Sequence, residues 1–172
     1  VNVVGIDPGT TGAIAFITER GTSVHDLPIR EIRGNGFAVR RIDGRALALL
    51  IRSECPAGEP FAAFCESVHA RAGERNSMMT QGSLMRSFGA IEAVCDCLGA
   101  PPELVTPQAW QAFYGLVGKK NEIRGKGALP AATRRALELY PSVAGDLVRV
   151  KDHNRAESLL IAHFGSRKVL GQ

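Results

Sequence analysis

"VNVVGIDPGTTGAIAF", residues 1–16, is the stretch on which the reading of this chain turns. Val1–Ile6 is an apolar, valine-rich run that favours a β-strand, and Ala13–Ile17 is a second one. Between them stand Asp7, Pro8, Gly9 and Gly12, which make a loop longer than the tightest hairpin turns. An acid that ends an apolar strand at such a loop has three readings. It can be an ordinary turn residue, the start of a phosphate cradle, or one corner of a metal site.

Working outward, Ser23–Pro28 supplies a third strand and Arg33–Gly36 reads as a loop. Asp43 is placed to cap a helix through Ala46, Leu47, Leu50 and Ile51. "PFAAFCE", residues 60–66, is an apolar strand that stops abruptly at Glu66. Ser77–Leu98 carries Met78, Met79, Leu84, Met85, Phe88, Ile91, Val94 and Cys95 near helical spacing, and Gly99 with Pro101 and Pro102 ends it. "ELVTPQAW", residues 103–110, is a fifth strand running into a helix, with Thr106 as N-cap and Pro107 in its first turn. Pro130–Tyr140 is a further helix closed by Pro141. The last helix starts near Asp152–Asn154 and holds Leu159, Leu160, Ile161 and Phe164. A meander followed by crossovers predicts an α/β domain over residues 1–172, a five-stranded mixed sheet flanked by helices. That order resembles the ribonuclease H-like fold.

The bulk properties narrow the class. At 172 residues, 45% apolar and 22% charged, the sequence has room for one well-packed core. It shows no apolar run of membrane-spanning length and no basic-then-apolar leader, so a soluble, cytoplasmic protein is expected, an organellar matrix being the eukaryotic equivalent. Cys55, Cys65, Cys95 and Cys97 form no CxxC pair and read as reduced thiols rather than zinc ligands. The net charge of +4 is concentrated between residues 119 and 135, where Lys119, Lys120, Arg124, Lys126, Arg134 and Arg135 face the single acid Glu122. Such a segment is either a solvated charged face or a seat for a polyanion such as nucleic acid.

The acids carry the chemistry. If the strands ending in Asp7 and Glu66 are parallel neighbours, both carboxylates emerge at one sheet edge, about 4.8 Å apart at the backbone. Two like charges so placed repel unless a cation lies between them, and hard oxygen donors suit Mg²⁺ or Mn²⁺. In "KDHNRAESLLIAHFG", residues 151–165, Asp152, His153, Asn154 and Glu157 sit at the start of the last helix. Acids there are common simply as caps and dipole partners. Glu66, directly after an apolar strand, needs a partner or water.

The segments together resemble one family. "GIDPGTTG" resembles the first acidic motif of the RuvC-type Holliday-junction resolvases, and Glu66 stands where that family keeps its second carboxylate. "DHNRAESLLIA" is similar to the family's final helix, with Glu157 in place of the usual terminal Asp. "QGSLMRSFG" and "LVTPQAWQAFYGL" resemble its phage and organelle-like branch. The resemblance implies a homodimeric, Mg²⁺-dependent endonuclease of DNA recombination and repair that resolves four-way junctions by paired symmetric nicks, with Mn²⁺ able to substitute. It assigns catalysis and metal binding to Asp7, Glu66, Glu157 and Asp152. His153 and Asn154 are alternative fourth ligands, because the family's acid three residues before the last one is Asn154 here. An inactivating Asp-to-Asn change is another reading of that position. Phosphate contacts fall to the basic segment and to Arg71, Arg75 and Arg86. Met78 and Met79 read as apolar wedges at unstacked bases or, in methionine's more ordinary role, as core packing. The helix over Ser77–Leu98 is the expected dimer face.

Three rivals remain. "GIDPGTTG" also resembles the first phosphate loop of the actin and sugar-kinase ATPases, which need a second lobe that this sequence lacks. The others are a non-catalytic or disabled junction-binding module, and a ribonuclease H-like nuclease acting on another branched or hybrid substrate.

Overall fold

A computed structural model describes residues 1–34, 37–68, 78–123, 128–149 and 152–171. Strands β1 (Asn2–Asp7), β2 (Ala13–Thr18) and β3 (Gly21–Asp26) form an antiparallel meander. A two-stranded hairpin follows, β4 (Ile29–Gly34) and β5 (Phe37–Ile42). Helix α1 (Gly44–Glu54) leads into β6 (Phe61–Glu66), which pairs parallel to β1. Helix α2 (Met78–Cys97) crosses to β7 (Glu103–Val105), parallel to β6. Helices α3 (Pro107–Phe113), α4 (Ala131–Leu139) and α5 (His153–Val169) complete the chain, with a 3₁₀ turn over Pro141–Asp146. The main sheet runs β3-β2-β1-β6-β7. The fold is ribonuclease H-like.

β1 lies at the centre because both its faces are apolar, as expected of a strand covered on both sides. Val4 and Ile6 pack with Ile14, Phe16, Leu47, Ile51 and Ile91 beneath α1 and α2. Val3 faces the other layer, where Leu159, Leu160 and Ile161 of α5 join Phe64 and Trp110. Gly5 makes that second layer possible. A Cβ at position 5 would overlap the backbone of Ser158 and Ala162, so only glycine lets α5 press this closely on the sheet. Gly165 has the same role against the ring of Phe64.

The caps follow their residues. The Asp43 side chain accepts from the Ala46 N–H at 3.0 Å, and the Thr106 hydroxyl accepts from the Ala109 N–H at 3.2 Å. Three expectations are corrected. The third strand is Gly21–Asp26 and closes before Pro28. Of the expected loop Arg33–Gly36, Arg33 and Gly34 instead end β4 of the β4–β5 hairpin, and residues 35–36 lie outside the described residues. The hairpin's two strands interleave isoleucine and valine with arginine, and because the ribbon is largely exposed it lacks the buried-face pattern that marks a strand. Lastly, Met78 and Met79 are 90% and 86% exposed, so neither fills the core. The burial of α2 begins at Ser87 and Phe88. Among the described residues, no helix is long and apolar enough to cross a membrane.

Candidate active site

Parallel pairing sets Ile6 opposite Cys65, so the next residues, Asp7 and Glu66, leave the sheet side by side at its C-terminal edge. The loop between β1 and β2 holds Asp7 in place. Gly9 has φ +131°, a conformation that side chains resist, and the Gly12 N–H donates to the Gly9 carbonyl at 3.1 Å. A Cβ on Gly12 would collide with the Asp7 carbonyl oxygen. The glycines therefore let the loop fold back on its own backbone. Glu157 reaches the same rim from the second turn of α5 and is only 2% exposed.

Two residues answer these acids. The Trp110 indole N–H donates to Glu66 Oε2 at 2.7 Å, and Trp110 itself is fully buried. The Lys120 ammonium donates to Glu157 Oε2 at 2.5 Å and lies 6.0 Å from the centre of the Trp110 ring. Lys120 is fixed from behind, since its carbonyl accepts from the Ala132 N–H at 2.9 Å at the start of α4. The indole thus links the two halves of the site, one edge on Glu66 and one face toward Lys120. Reasoning from the sequence passed Trp110 over, although it is the chain's single tryptophan and lies in "TPQAWQAF".

The three acids and Lys120 act on one another through their charges. Burial pushes the Asp7 carboxyl well up, and the charges of Glu157 and Glu66 push it further, while Lys120 opposes them. Burial also raises Glu66, against the Trp110 hydrogen bond and the Lys120 charge, with Glu157 adding to the rise. Burial alone would pull Lys120 down, yet Glu157, Glu66 and Asp7 together hold it above its ordinary value. Three carboxylates face one ammonium.

The chain is similar in structure to RuvC. RuvC of T. thermophilus in complex with its Holliday junction substrate is 14% identical, with 99% of this chain and 97% of that chain covered and a TM-score of 0.46. A second Thermus thermophilus RuvC structure is 15% identical over the same shares, with a TM-score of 0.38. No protein-family model and no curated protein sequence matches the chain.

The remaining candidates are distributed unevenly. Asp152 is buried, but its carboxylate is held by Arg149, whose Nη2 lies 2.6 Å away and whose backbone N–H donates at 2.7 Å. Burial would raise this carboxyl, yet the hydrogen bonds and charge of Arg149 keep it below its ordinary value. Asp152 therefore answers to arginine and not to the other three acids. Asn154 donates its amide to the Thr11 carbonyl at 2.5 Å, which ties α5 to the Asp7 loop. His153 and Asn154 line a cavity with Thr10, Thr11 and Gly12 beside that loop.

Of the basic residues, Lys119 and Arg86 are exposed. Arg134 donates to the Leu129 carbonyl at 2.7 Å, and Arg135 pairs with Glu138 at 2.9 Å. Arg71, Arg75, Arg124 and Lys126 lie outside the described residues. The cysteines are free, and burial drives the Cys65 thiol well up and Cys95 up to about 12, so these two are poor thiolate ligands.

Asp7, Glu66 and Glu157 offer hard carboxylate oxygens, the donor type of a small divalent cation, and together carry more negative charge than one lysine balances. Among the described residues, no three acidic, histidine or cysteine groups stand as a ready ligand cage. Glu66 and Glu157 are instead satisfied by Trp110 and Lys120.

Proposed function

We propose that this protein is a metal-dependent endodeoxyribonuclease that cuts branched DNA, with the four-way junction as its preferred substrate. The observation that carries this reading is the meeting of Asp7, Glu66 and Glu157 at one sheet edge, where Glu157 and Glu66 raise the cost of ionising Asp7, and Glu157 that of ionising Glu66. Mg²⁺, or Mn²⁺ in its place, would be held by these three side chains. A bound divalent cation supplies water activation and neutralises charge building on a phosphodiester. The protein's own residues do the rest. Trp110 aims Glu66, Lys120 balances charge near Glu157, and Gly9 with Gly12 present Asp7 at the rim. No Ser, Cys or Tyr nucleophile is required. Two copies related by a twofold axis, with the outer face of α2 between them, would make paired symmetric nicks.

A second reading is a disabled junction-binding module. Asp152 is held by Arg149 and Asn154 is an amide, so the place of a fourth acid is filled by neither. Cleavage of a synthetic mobile four-way junction with Mg²⁺ or Mn²⁺, beside Asp7→Asn and Glu66→Gln, separates the two. Paired nicks that vanish in both variants support the nuclease. Metal-independent junction binding without nicks supports the module, and cutting of an RNA–DNA hybrid in preference to the junction overturns the substrate.

A further inference from the structure

The hairpin β4–β5 belongs to no part of the site described above, and its chemistry is unusual. Arg30 of β4 stands directly opposite Arg41 of β5. Like charges facing each other across a ribbon destabilise it, and a lone two-stranded ribbon is marginal to begin with. Arg30, Arg33 and Arg40 are exposed. Among the described residues, Arg30, Arg33 and Arg86 form no ion pair, and the one acid in the hairpin is Glu31, opposite Arg40. The base of the ribbon is nevertheless anchored. Ile42 is buried, and the Asp43 N–H donates to the Pro28 carbonyl at 2.9 Å. This is a fixed arm whose positive charge lacks an internal answer.

The arm borders open space that reaches the loop following Asp7. A groove of about 610 Å³ runs between the hairpin and α2, lined by Arg40, Arg41, Arg86 and the exposed Met79. Its neighbour, of about 600 Å³, shares Arg40 and Thr10 with it and continues past Gly12 to Asn154, beside the Asp7 loop. We propose that the β4–β5 hairpin is an arginine arm that grips the phosphate backbone of a duplex DNA arm and leads it along α2 toward the acidic rim. This rests on the nuclease reading above. The occupant follows from charge and shape: a polyanion offsets the opposed arginines, and a two-stranded ribbon is of a size that duplex grooves admit.

The test measures binding of a four-way junction in EDTA by fluorescence anisotropy, from about 50 to 200 mM NaCl. The double variant Arg30→Ala/Arg41→Ala should bind more weakly, and its plot of log affinity against log salt should flatten by roughly 1.8, about 0.9 for each lost phosphate contact. Arg30→Lys/Arg41→Lys should restore the slope. If the alanine variant melts early, Arg30→Gln alone should flatten the slope by roughly 0.9. Unchanged affinity and slope in these variants, with the unaltered protein binding tightly, overturns the arm and leaves the nuclease reading intact. Failure of the unaltered protein to bind any branched DNA overturns both.

Discussion

Replacing Lys120 with methionine tests whether this lysine is the counter-charge of the acid site. The substitution keeps an unbranched apolar stem near Trp110 and removes only the ammonium. Breaking a fully buried ion pair from one side costs about 3–5 kcal/mol, because the remaining charge is left without a partner. Here the Glu157 side chain is 3% exposed but that of Lys120 is 30% exposed, so water already shares the load. A cost of about 2–3 kcal/mol in metal-free buffer is therefore expected, after discounting for that screening. For a chain of this length that is a fall in melting temperature of roughly 4–12 °C.

Mg²⁺ should recover much of the loss, since a ligand present at a hundred times its Kd adds about 2.7 kcal/mol. The assay is thermal unfolding by circular dichroism in EDTA and again across a Mg²⁺ series, with calorimetry to read the affinity. Lys120→Met should gain more from Mg²⁺ than the unaltered protein and bind it more tightly. Melting within about 1 °C of the unaltered protein in EDTA would refute the reasoning, since it would mean the ammonium neutralises nothing that matters to folding. So would equal stabilisation of both proteins by Mg²⁺.

Two more outcomes follow from the same site. Trp110→Phe keeps an aromatic ring but deletes the donor to Glu66, so it should cost about 1.5–3 kcal/mol in urea unfolding, the range for a hydrogen bond to a charged group; a loss below about 0.5 kcal/mol would show that water replaces the indole freely. The pH response of metal-free protein should run opposite to that of a salt-bridged acid. Asp7 and Glu66 have raised folded values, so the stability they contribute is full below their unfolded values of about 4 and is lost as pH rises through the raised ones. Melting temperature in EDTA should therefore fall from mildly acidic toward neutral pH, and Asp7→Asn should flatten that fall. Asp152 behaves in the reverse sense: its stabilisation by Arg149 disappears only when pH drops through its lowered value.

How much of this was legible in the chain varies element by element. The cap residues Asp43 and Thr106 announced α1 and α3 because a side-chain oxygen next to a free N–H is a local matter. The two-sided apolar run of β1 and the sudden acids that end β1 and β6 were equally plain. The hairpin was hidden because its strands bury almost nothing, and burial is what writes alternation into a sequence.

The residues of the site divide in the same way. Asp7 and Glu66 stood out in the sequence because an acid that ends an apolar strand must find a partner, whereas Glu157 was named only through the resemblance of its helix. What the sequence left open is which partner. Lys120 reads as one more member of a basic run, and only the packing of α4 and α5 turns it inward onto Glu157. Asp152 reads as a fourth ligand, and only the turn before α5 gives it to Arg149. Nothing local to Trp110 names its partner, and only the placement of α3 beside β6 sets its N–H on Glu66. Strand, cap and acid are local facts, governed by backbone chemistry over a few residues. The pairing of charges is a contest among groups dozens of residues apart, and the fold alone decides which of them meet.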